Sequence, residues 1–180
     1  MIENQNIASK PNRKRRTLSS GMKKVNKLVP KSKEIHIHLP EIFILYLILA
    51  IVLDSFFPIE RIILFPYTLL GIPLFIFGLT LNSQAKTQFS RKKTTEKLFN
   101  KSSTLLKEGP FGFSRNPIYL SAVVLLMGVA VLLGSLLALF TPIALLITFD
   151  ILFIRYEEKI QEKTFGNEYL AYKKRVRRWI

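Results

Sequence analysis

Cysteine is absent from this chain of 180 residues, and acidic residues are scarce beside 27 lysines and arginines. The lack of thiols excludes disulfides, thiolate zinc sites, iron–sulfur clusters and cysteine nucleophiles. The only imidazoles are those of His36 and His38, and two such ligands without a third nearby make a poor metal site. The sequence therefore predicts no metal centre, and its carboxylates and basic residues become the candidates for function.

Charge is also missing from two long stretches, residues 62–81 and 116–149. About 20 apolar residues suffice to cross a hydrocarbon core that is about 30 Å thick. The second stretch is too long for one helix, and Gly134 and Ser135 offer a break within it. The chain is therefore predicted to be an all-α, polytopic membrane protein. Its four transmembrane helices are expected at residues 39–57, 62–81, 117–133 and 136–154.

The basic residues indicate how these helices are oriented. Of the 27 lysines and arginines, 26 fall on one side of a four-helix arrangement, and Arg61 alone lies on the other. Cytoplasmic loops of membrane proteins carry such an excess of positive charge. Both termini are therefore expected in the cytoplasm, where residues 82–116 and 155–180 would form a polar cap. The expected location is the inner membrane of a bacterium.

Residues 1–35 are rich in lysine, arginine, asparagine and serine and are predicted to form a disordered arm. The polar region before the first apolar run is too long for a secretory signal. Its positive charge can determine orientation, attract anionic lipid headgroups or, less favoured because stacking aromatics are missing, contact nucleic acid. No specific nucleic-acid partner is expected.

The cap contains signals for helix ends. Asn116 precedes Pro117, a pair typical of an N-cap followed by the first residue of a helix. At that place the Asn116 side chain can satisfy amide donors or hold part of a ligand. The helical pattern of the fourth span continues past the membrane to Gly166, a typical C′ residue.

The C-terminal tail has the pattern of a short amphipathic helix. Its aromatic and apolar residues recur on one stripe amid basic residues: Tyr169, Tyr172, Val176 and Trp179 or Ile180. Such a helix can lie in the membrane interface. Alternatively, the stripe can pack on the loop 82–115 and help to close a site.

Three acids stand at the inner end of the fourth span. Glu157 and Glu158 lie just beyond the expected hydrocarbon edge, and Asp150 precedes Glu157 by seven residues, two turns up the same face. Acids at this depth are candidate functional residues, and pairing with nearby lysines or arginines is the alternative.

The segments GPFGFSRNPIYLS (109–121) and RYEEKIQEKTFGNEYLAYKKRV (155–176) resemble the superfamily of isoprenylcysteine carboxyl and phospholipid methyltransferases. The shared features are Gly-Pro-aromatic, Arg-Asn-Pro-x-Tyr, an uncharged helical hairpin, Glu-Glu and Phe-Gly-x-x-Tyr-x-x-Tyr, in that order. The resemblance implies an S-adenosylmethionine-dependent methyltransferase without a Rossmann domain. It also implies a cofactor pocket at the cytoplasmic interface and a lipid or lipid-like methyl acceptor that enters from the bilayer.

Roles for individual residues follow from the resemblance. The cofactor is expected to contact Ser103, Thr104, Leu105, Leu106, Phe111, Asn116, Pro117, Tyr119 and Glu157. The carboxylate of Glu157 and the rings of Phe111 and Tyr119 suit a cationic cofactor. Arg115 is the candidate for clamping a carboxylate, and Glu158 for positioning Arg115 or deprotonating the acceptor. A salt bridge that braces the hairpin is the alternative for this last pair.

Some positions depart from the superfamily's pattern: Asn116 replaces a frequent His, Gly112 a frequent Arg, and Ser121 a Gly. Phe153 stands near the position where the isoprenylcysteine enzymes use an Arg, so the methyl acceptor need not be an isoprenylcysteine. Two other hypotheses are a nicotinamide-dependent protein similar to the C-terminal region of sterol reductases, and a non-catalytic membrane protein whose basic cap binds anionic lipid or a partner. Cofactor binding separates the methyltransferase from the non-catalytic protein.

Overall fold

The computed structural model describes residues 39–56, 61–91 and 104–180, which are mostly helical. In chain order, its α-helices are α1 (Leu39–Phe56), α2 (Gly71–Arg91), α3 (Pro117–Leu133), α4 (Leu136–Phe149), α5 (Arg155–Phe165) and α6 (Asn167–Arg175). A 3₁₀ turn, Tyr67–Leu70, leads into α2, and a π-helical turn, Asp150–Ile154, joins α4 to α5 without a break. The predicted all-α fold is confirmed, whereas the predicted arm, residues 1–35, lies outside the described residues.

Within residues 39–56, 61–91 and 104–180, three helical segments are long and apolar enough to cross a membrane: Leu39–Phe56, Tyr67–Arg91 and the continuous Leu136–Phe165. Helix α3 is apolar as well, with 17 residues. At 1.5 Å per residue it rises about 25 Å, slightly less than the thickness of the hydrocarbon core. The chain is therefore an integral membrane protein by the length and composition of its helices.

The second span differs from the prediction for residues 62–81. Helix α2 begins nine residues later and continues ten residues further. The chain before it is held against the α3–α4 connection, because the amides of Ile62 and Ile63 donate to the carbonyl oxygen of Gly134 at 3.0 and 3.2 Å. Pro66 follows and lacks the N–H group that a helix interior requires. Apolar composition therefore indicates that this part of the chain can span a membrane, but it does not predict where the helix begins.

The α3–α4 hairpin has the predicted break. Gly134 ends α3 in the left-handed conformation, at φ 74°, which glycine adopts without strain. The side chain of Ser135 then caps α4 by accepting a hydrogen bond from the amide of Ala138. The predicted fourth span, residues 136–154, starts where expected, and the helical path continues beyond it as far as Gly166.

Helices α2 and α3 approach each other closely at glycines. A Cβ atom added at Gly128 would lie 2.7 Å from the backbone nitrogen of Phe75 and 2.9 Å from the carbonyl oxygen of Gly71. A Cβ atom added at Gly78 would lie 2.7 Å from Cγ of Leu125. Small residues let the backbones of transmembrane helices approach, so that van der Waals packing holds the helices together where lipid tails weaken the hydrophobic drive.

The centre of the bundle is formed by α3, α4 and the π-helical turn. Leu126, Phe149 and Ile154 are fully buried there, and partly buried residues of α1 pack against this cluster. A hydrogen bond of 2.6 Å between the hydroxyls of Tyr46 and Thr148 also joins α1 to α4. The polar end of this packed core carries the acids that the sequence singles out.

Helix α6 packs its apolar stripe inward. Tyr169, Tyr172 and Val176 form a buried cluster, and Leu105 of the loop before α3 packs against it. The hydroxyl of Tyr172 donates to the carbonyl oxygen of Phe111 at 2.6 Å. Burial raises the pKa of Tyr172 to about 12, which keeps this donor protonated. Of the two expectations for the stripe, packing on the loop is confirmed.

We expect Gly128→Ala to lower the unfolding midpoint of the detergent-solubilised protein, although alanine normally stabilises a helix by about 1 kcal/mol over glycine. The new methyl would meet backbone atoms of α2, which cannot rotate away. Overpacking costs about 1–3 kcal/mol, so a net loss of about 1 kcal/mol is expected. Gly112→Ala is the control, because the one described atom near its new Cβ would be a carbonyl oxygen at 3.7 Å, an ordinary contact distance. A higher midpoint for Gly128→Ala would contradict the close packing.

Candidate functional site

Tyr119 and Glu157 form the first contact of the candidate site. Tyr119 lies in the first turn of α3, which begins at the fully buried Pro117. Its ring packs against those of Phe149 and Phe153, with centroids 5.0 and 6.3 Å away. Its hydroxyl donates a hydrogen bond of 3.0 Å to Oε1 of Glu157. The pair therefore joins the start of α3 to the start of α5.

Arg115, Glu158 and Arg178 form an ion cluster. Glu158 is only 4% exposed, and its oxygens accept hydrogen bonds from Arg115 at 2.8 and 3.1 Å and from Arg178 at 2.8 and 3.2 Å. Nη1 of Arg115 donates to the carbonyl oxygens of Lys173 and Val176, both at 3.1 Å. The donors of Arg115 and the acceptors of Glu158 are thus engaged within the protein. This geometry agrees with the alternative expectation for Arg115 and Glu158, a salt bridge that braces the helical hairpin.

Asp150 belongs to the same cluster. Its Oδ1 accepts from Nη1 of Arg178, and its Oδ2 accepts from Nε of Arg155, each at 3.0 Å. The hydrogen bond from Arg178 to Glu158 raises the pKa of Arg178 above its usual range, so the guanidinium stays charged. Pairing with neighbouring arginines is confirmed for Asp150.

Asn116 takes the predicted N-cap position, and its carbonyl oxygen accepts from the amide of Leu120 at 3.0 Å. Its side chain makes no capping hydrogen bond. Instead, Nδ2 donates to the carbonyl oxygen of Arg178 at 3.2 Å, and the Asn116 amide donates to Oγ of Ser114 at 3.2 Å. Of the two possibilities for this side chain, satisfying helix amides is wrong, and holding part of a ligand stays a prediction.

The loop before α3 contributes apolar groups to the same end of the bundle. Leu106 and Phe111 are buried together against α2, and Leu105 packs against α6. Thr104 is exposed, and Ser103 lies outside the described residues. Of the residues predicted to contact a cofactor in this loop, three therefore contribute to packed surfaces.

Two buried side-chain oxygens have no hydrogen-bond partner among the described residues: Oδ1 of Asn82 in α2 and Oε1 of Gln161 in α5. Buried polar groups are nearly always satisfied, and an unpaired one costs about 1–3 kcal/mol. Gln161 follows Glu157 by four residues, so the two lie on one side of α5. Gln161 was not predicted as a site residue, although its position four residues after Glu157 would have placed it on the same side of the helix.

Arg178 is a second residue that the sequence patterns do not single out. It lies in a basic tail, where charge alone predicts a solvated or membrane-facing position. Its partners Glu158 and Asp150 are 20 and 28 residues earlier in the chain. No periodic signal predicts a pairing of that kind.

Comparison with known proteins places this site in a family context. A family model described as phospholipid methyltransferase matches residues 66–168, more than half of the chain. An uncharacterised protein of Haemophilus influenzae is 36% identical over 63 residues, which make up 35% of this chain and all of that protein. No solved structure gives a significant match. The region matched by the family model contains Arg115, Tyr119 and both glutamates of the site, and it ends before the tail.

We expect Glu158→Gln to destabilise the fold. The substitution leaves two arginines, one of them with a side chain only 7% exposed, without their shared carboxylate. Removing one partner of a buried ion pair costs about 3 kcal/mol or more. Glu162→Gln is the control on the same helix, because the Glu162–Lys173 pair is partly solvated and contributes about 1 kcal/mol at most. An unchanged unfolding midpoint in Glu158→Gln would contradict the bracing role, because replacing a residue that acts only as a catalytic base would not destabilise the fold.

Proposed function

This chain belongs to the phospholipid methyltransferase family, and we propose that it transfers a methyl group from S-adenosylmethionine to a lipid or lipid-like molecule at the cytoplasmic membrane interface. The family supports methyl transfer to lipid-like substrates. The observation that carries the proposal is the hydrogen bond from Tyr119, at the start of α3, to Glu157, at the start of α5. It holds a carboxyl group at the polar end of the bundle, and both residues lie within the matched region.

The described residues suit a cationic cofactor. S-adenosylmethionine carries a sulfonium, an ammonium and ribose hydroxyls, and all of these favour nearby oxygen acceptors. Glu157 offers a carboxylate that is oriented by Tyr119, and Gln161 offers a buried oxygen that has no partner in the described part of the chain. We assign these two residues to hold the cofactor, with Leu106 and Phe111 as an apolar wall.

When bound, S-adenosylmethionine supplies an activated methyl group for in-line displacement, a reaction that depends chiefly on positioning. The protein provides that positioning before any ligand enters. The rings of Phe149 and Phe153 fix the ring of Tyr119, and the Tyr119 hydroxyl fixes Glu157. Preorganised groups bind more tightly because less ordering is left to the binding step.

Arg115 and Glu158 brace the site in this proposal. Their hydrogen bonds to each other, to Arg178 and to backbone carbonyls leave them poorly placed to bind a substrate carboxylate or to take up a proton. We therefore propose for this pair the supporting role that the sequence offered as the alternative to a catalytic one. Their effect on methyl transfer would be indirect, through the start of α3 and of α5.

The acceptor is proposed to reach the site from the bilayer. Much of the apolar surface of α1 and α2 is exposed outside the bundle, as expected for helices that face lipid tails. The concentration of basic residues on one side supports a cytoplasmic site and, in a bacterium, the inner membrane.

A non-catalytic membrane protein is the second candidate, and the exposed charge of the tail favours it. Lys174, Arg175 and Arg177 are exposed and form no ion pair with another described residue. An anionic lipid surface attracts basic residues by about 1 kcal/mol each. Such a protein would bind anionic vesicles but not S-adenosylmethionine.

Calorimetry on the detergent-solubilised wild type should detect S-adenosylmethionine binding, and Glu157→Gln should weaken it by about 10- to 100-fold. Hydrogen bonds to charged groups contribute about 1.5–3 kcal/mol, and about 1.4 kcal/mol corresponds to a factor of ten. Glu162→Gln is the control for loss of one acid from the same helix. A folded wild type that binds none of the cofactor, even with lipid added, would refute the proposed cofactor.

Gln161→Leu should separate cofactor binding from stability. Because leucine removes an unsatisfied buried oxygen, the unfolding midpoint should stay the same or rise, whereas cofactor binding should weaken about tenfold. Gln84→Leu makes the same change at an exposed position of α2 and should leave binding unaltered. Undiminished binding by Gln161→Leu would remove Gln161 from the site and leave Glu157 in it.

A further inference from the structure

Residues 176–180, here termed the C-terminal strap, run beside residues 114–116, the segment just before α3. Three consecutive residues of that segment each donate a hydrogen bond to a strap carbonyl oxygen. The bonds run from Arg115 N to Arg177 O at 3.1 Å, from Ser114 Oγ to Arg178 O at 3.3 Å and from Asn116 Nδ2 to Arg178 O at 3.2 Å. The position of the first turn of α3 is therefore tied to the position of the strap.

The side chain of Arg178 anchors the strap to the helix that carries Glu157. Its Nε and Nη2 donate to Glu158, and its Nη1 donates to Asp150. A guanidinium holds its donors in a rigid planar fork, so one arginine fixes two carboxylates where a lysine acts as a single point charge. The neighbouring Trp179 packs against the core cluster of the bundle.

From these contacts we propose that Arg178 is a positioning residue for the candidate site. Its backbone holds the residues before α3, and its side chain holds the residue next to Glu157. The strap thereby fixes both halves of the Tyr119–Glu157 pair, although the importance of that pair for methyl transfer rests on the proposed function. Arg178 lies ten residues beyond the region, 66–168, that the family model matches.

Replacing Arg178 leaves neither acid of the cluster without a partner. Glu158 keeps its hydrogen bonds to Arg115, and Asp150 keeps its hydrogen bond to Arg155. Arg178→Gln should therefore fold, and its effect should fall on the strap and on the first turn of α3. Such a variant separates positioning from the integrity of the bundle.

The first test needs no ligand, because it follows the fluorescence of Trp179, which is the only tryptophan in the chain. Arg178→Gln should increase acrylamide quenching of Trp179 about twofold and speed amide hydrogen exchange over residues 115–120 about tenfold, at a similar unfolding midpoint. Arg178→Lys should give a smaller effect, since it keeps the charge but not the fork. Arg175→Gln removes an exposed charge upstream of the strap and should change neither signal. Unchanged quenching and exchange in Arg178→Gln would overturn the proposal.

The second test uses S-adenosylmethionine as the probe. Its Kd should rise about tenfold in Arg178→Gln and not in Arg175→Gln. Combining Arg178→Gln with Tyr119→Phe should cost less than the sum of the two single losses, because both substitutions act on the placement of Glu157. Additive losses would overturn the positioning role. A wild type that binds no cofactor, together with a strap loosened by Arg178→Gln, would instead refute the proposed cofactor and support the strap.

Discussion

The carboxylate of Glu158 is the point at which three separate parts of the chain meet. Arg115 reaches it from the segment before α3, and Arg178 reaches it from the tail. Transfer of these charges out of water is costly, and their mutual attraction offsets that cost only when the geometry is good and no charge is left without a partner. We therefore interpret the cluster as a requirement for one arrangement of α3, α5 and the tail rather than as a large source of net stability. Asp150 balances part of the charge of the Arg178 guanidinium.

The membrane explains why the polar groups collect at one end of the bundle. Ionised side chains are expensive in the hydrocarbon core, so acids on a spanning helix are tolerated where they are paired or near water. The π-helical turn Asp150–Ile154 stands between the apolar α4 and the polar α5. Around it, Phe149 and Phe153 face the ring of Tyr119, while Asp150 pairs with two arginines. Such turns occur often at functional sites, in agreement with the place of this one beside the candidate pair.

Local signals predicted the α3–α4 hairpin and failed for the start of α2. Pro117 and Gly134 set the two ends of α3, and Ser135 caps α4, through their own backbone or side-chain geometry. The local sequence therefore predicts both ends of α3. The start of α2 depends on hydrogen bonds between residues 62–63 and Gly134, which are distant in sequence. The same limit applies to the site: motif positions pointed to Tyr119 and Glu157, but the partners of Arg178 are a property of the fold.

The two adjacent glutamates of the motif have different partners in the structure. Successive residues of an α-helix point about 100° apart, so Glu157 and Glu158 meet different surroundings. Glu158 meets two guanidiniums that already balance its charge, whereas Glu157 meets the neutral hydroxyl of Tyr119. Of the two carboxyl groups, only that of Glu158 is therefore paired with arginines among the described residues. Because both acids belong to one helical turn, the arginines that clamp Glu158 also restrict the motion of Glu157. If Glu157 binds the cofactor as proposed, the rigidity of the Glu158 cluster would contribute to the preorganisation of its neighbour.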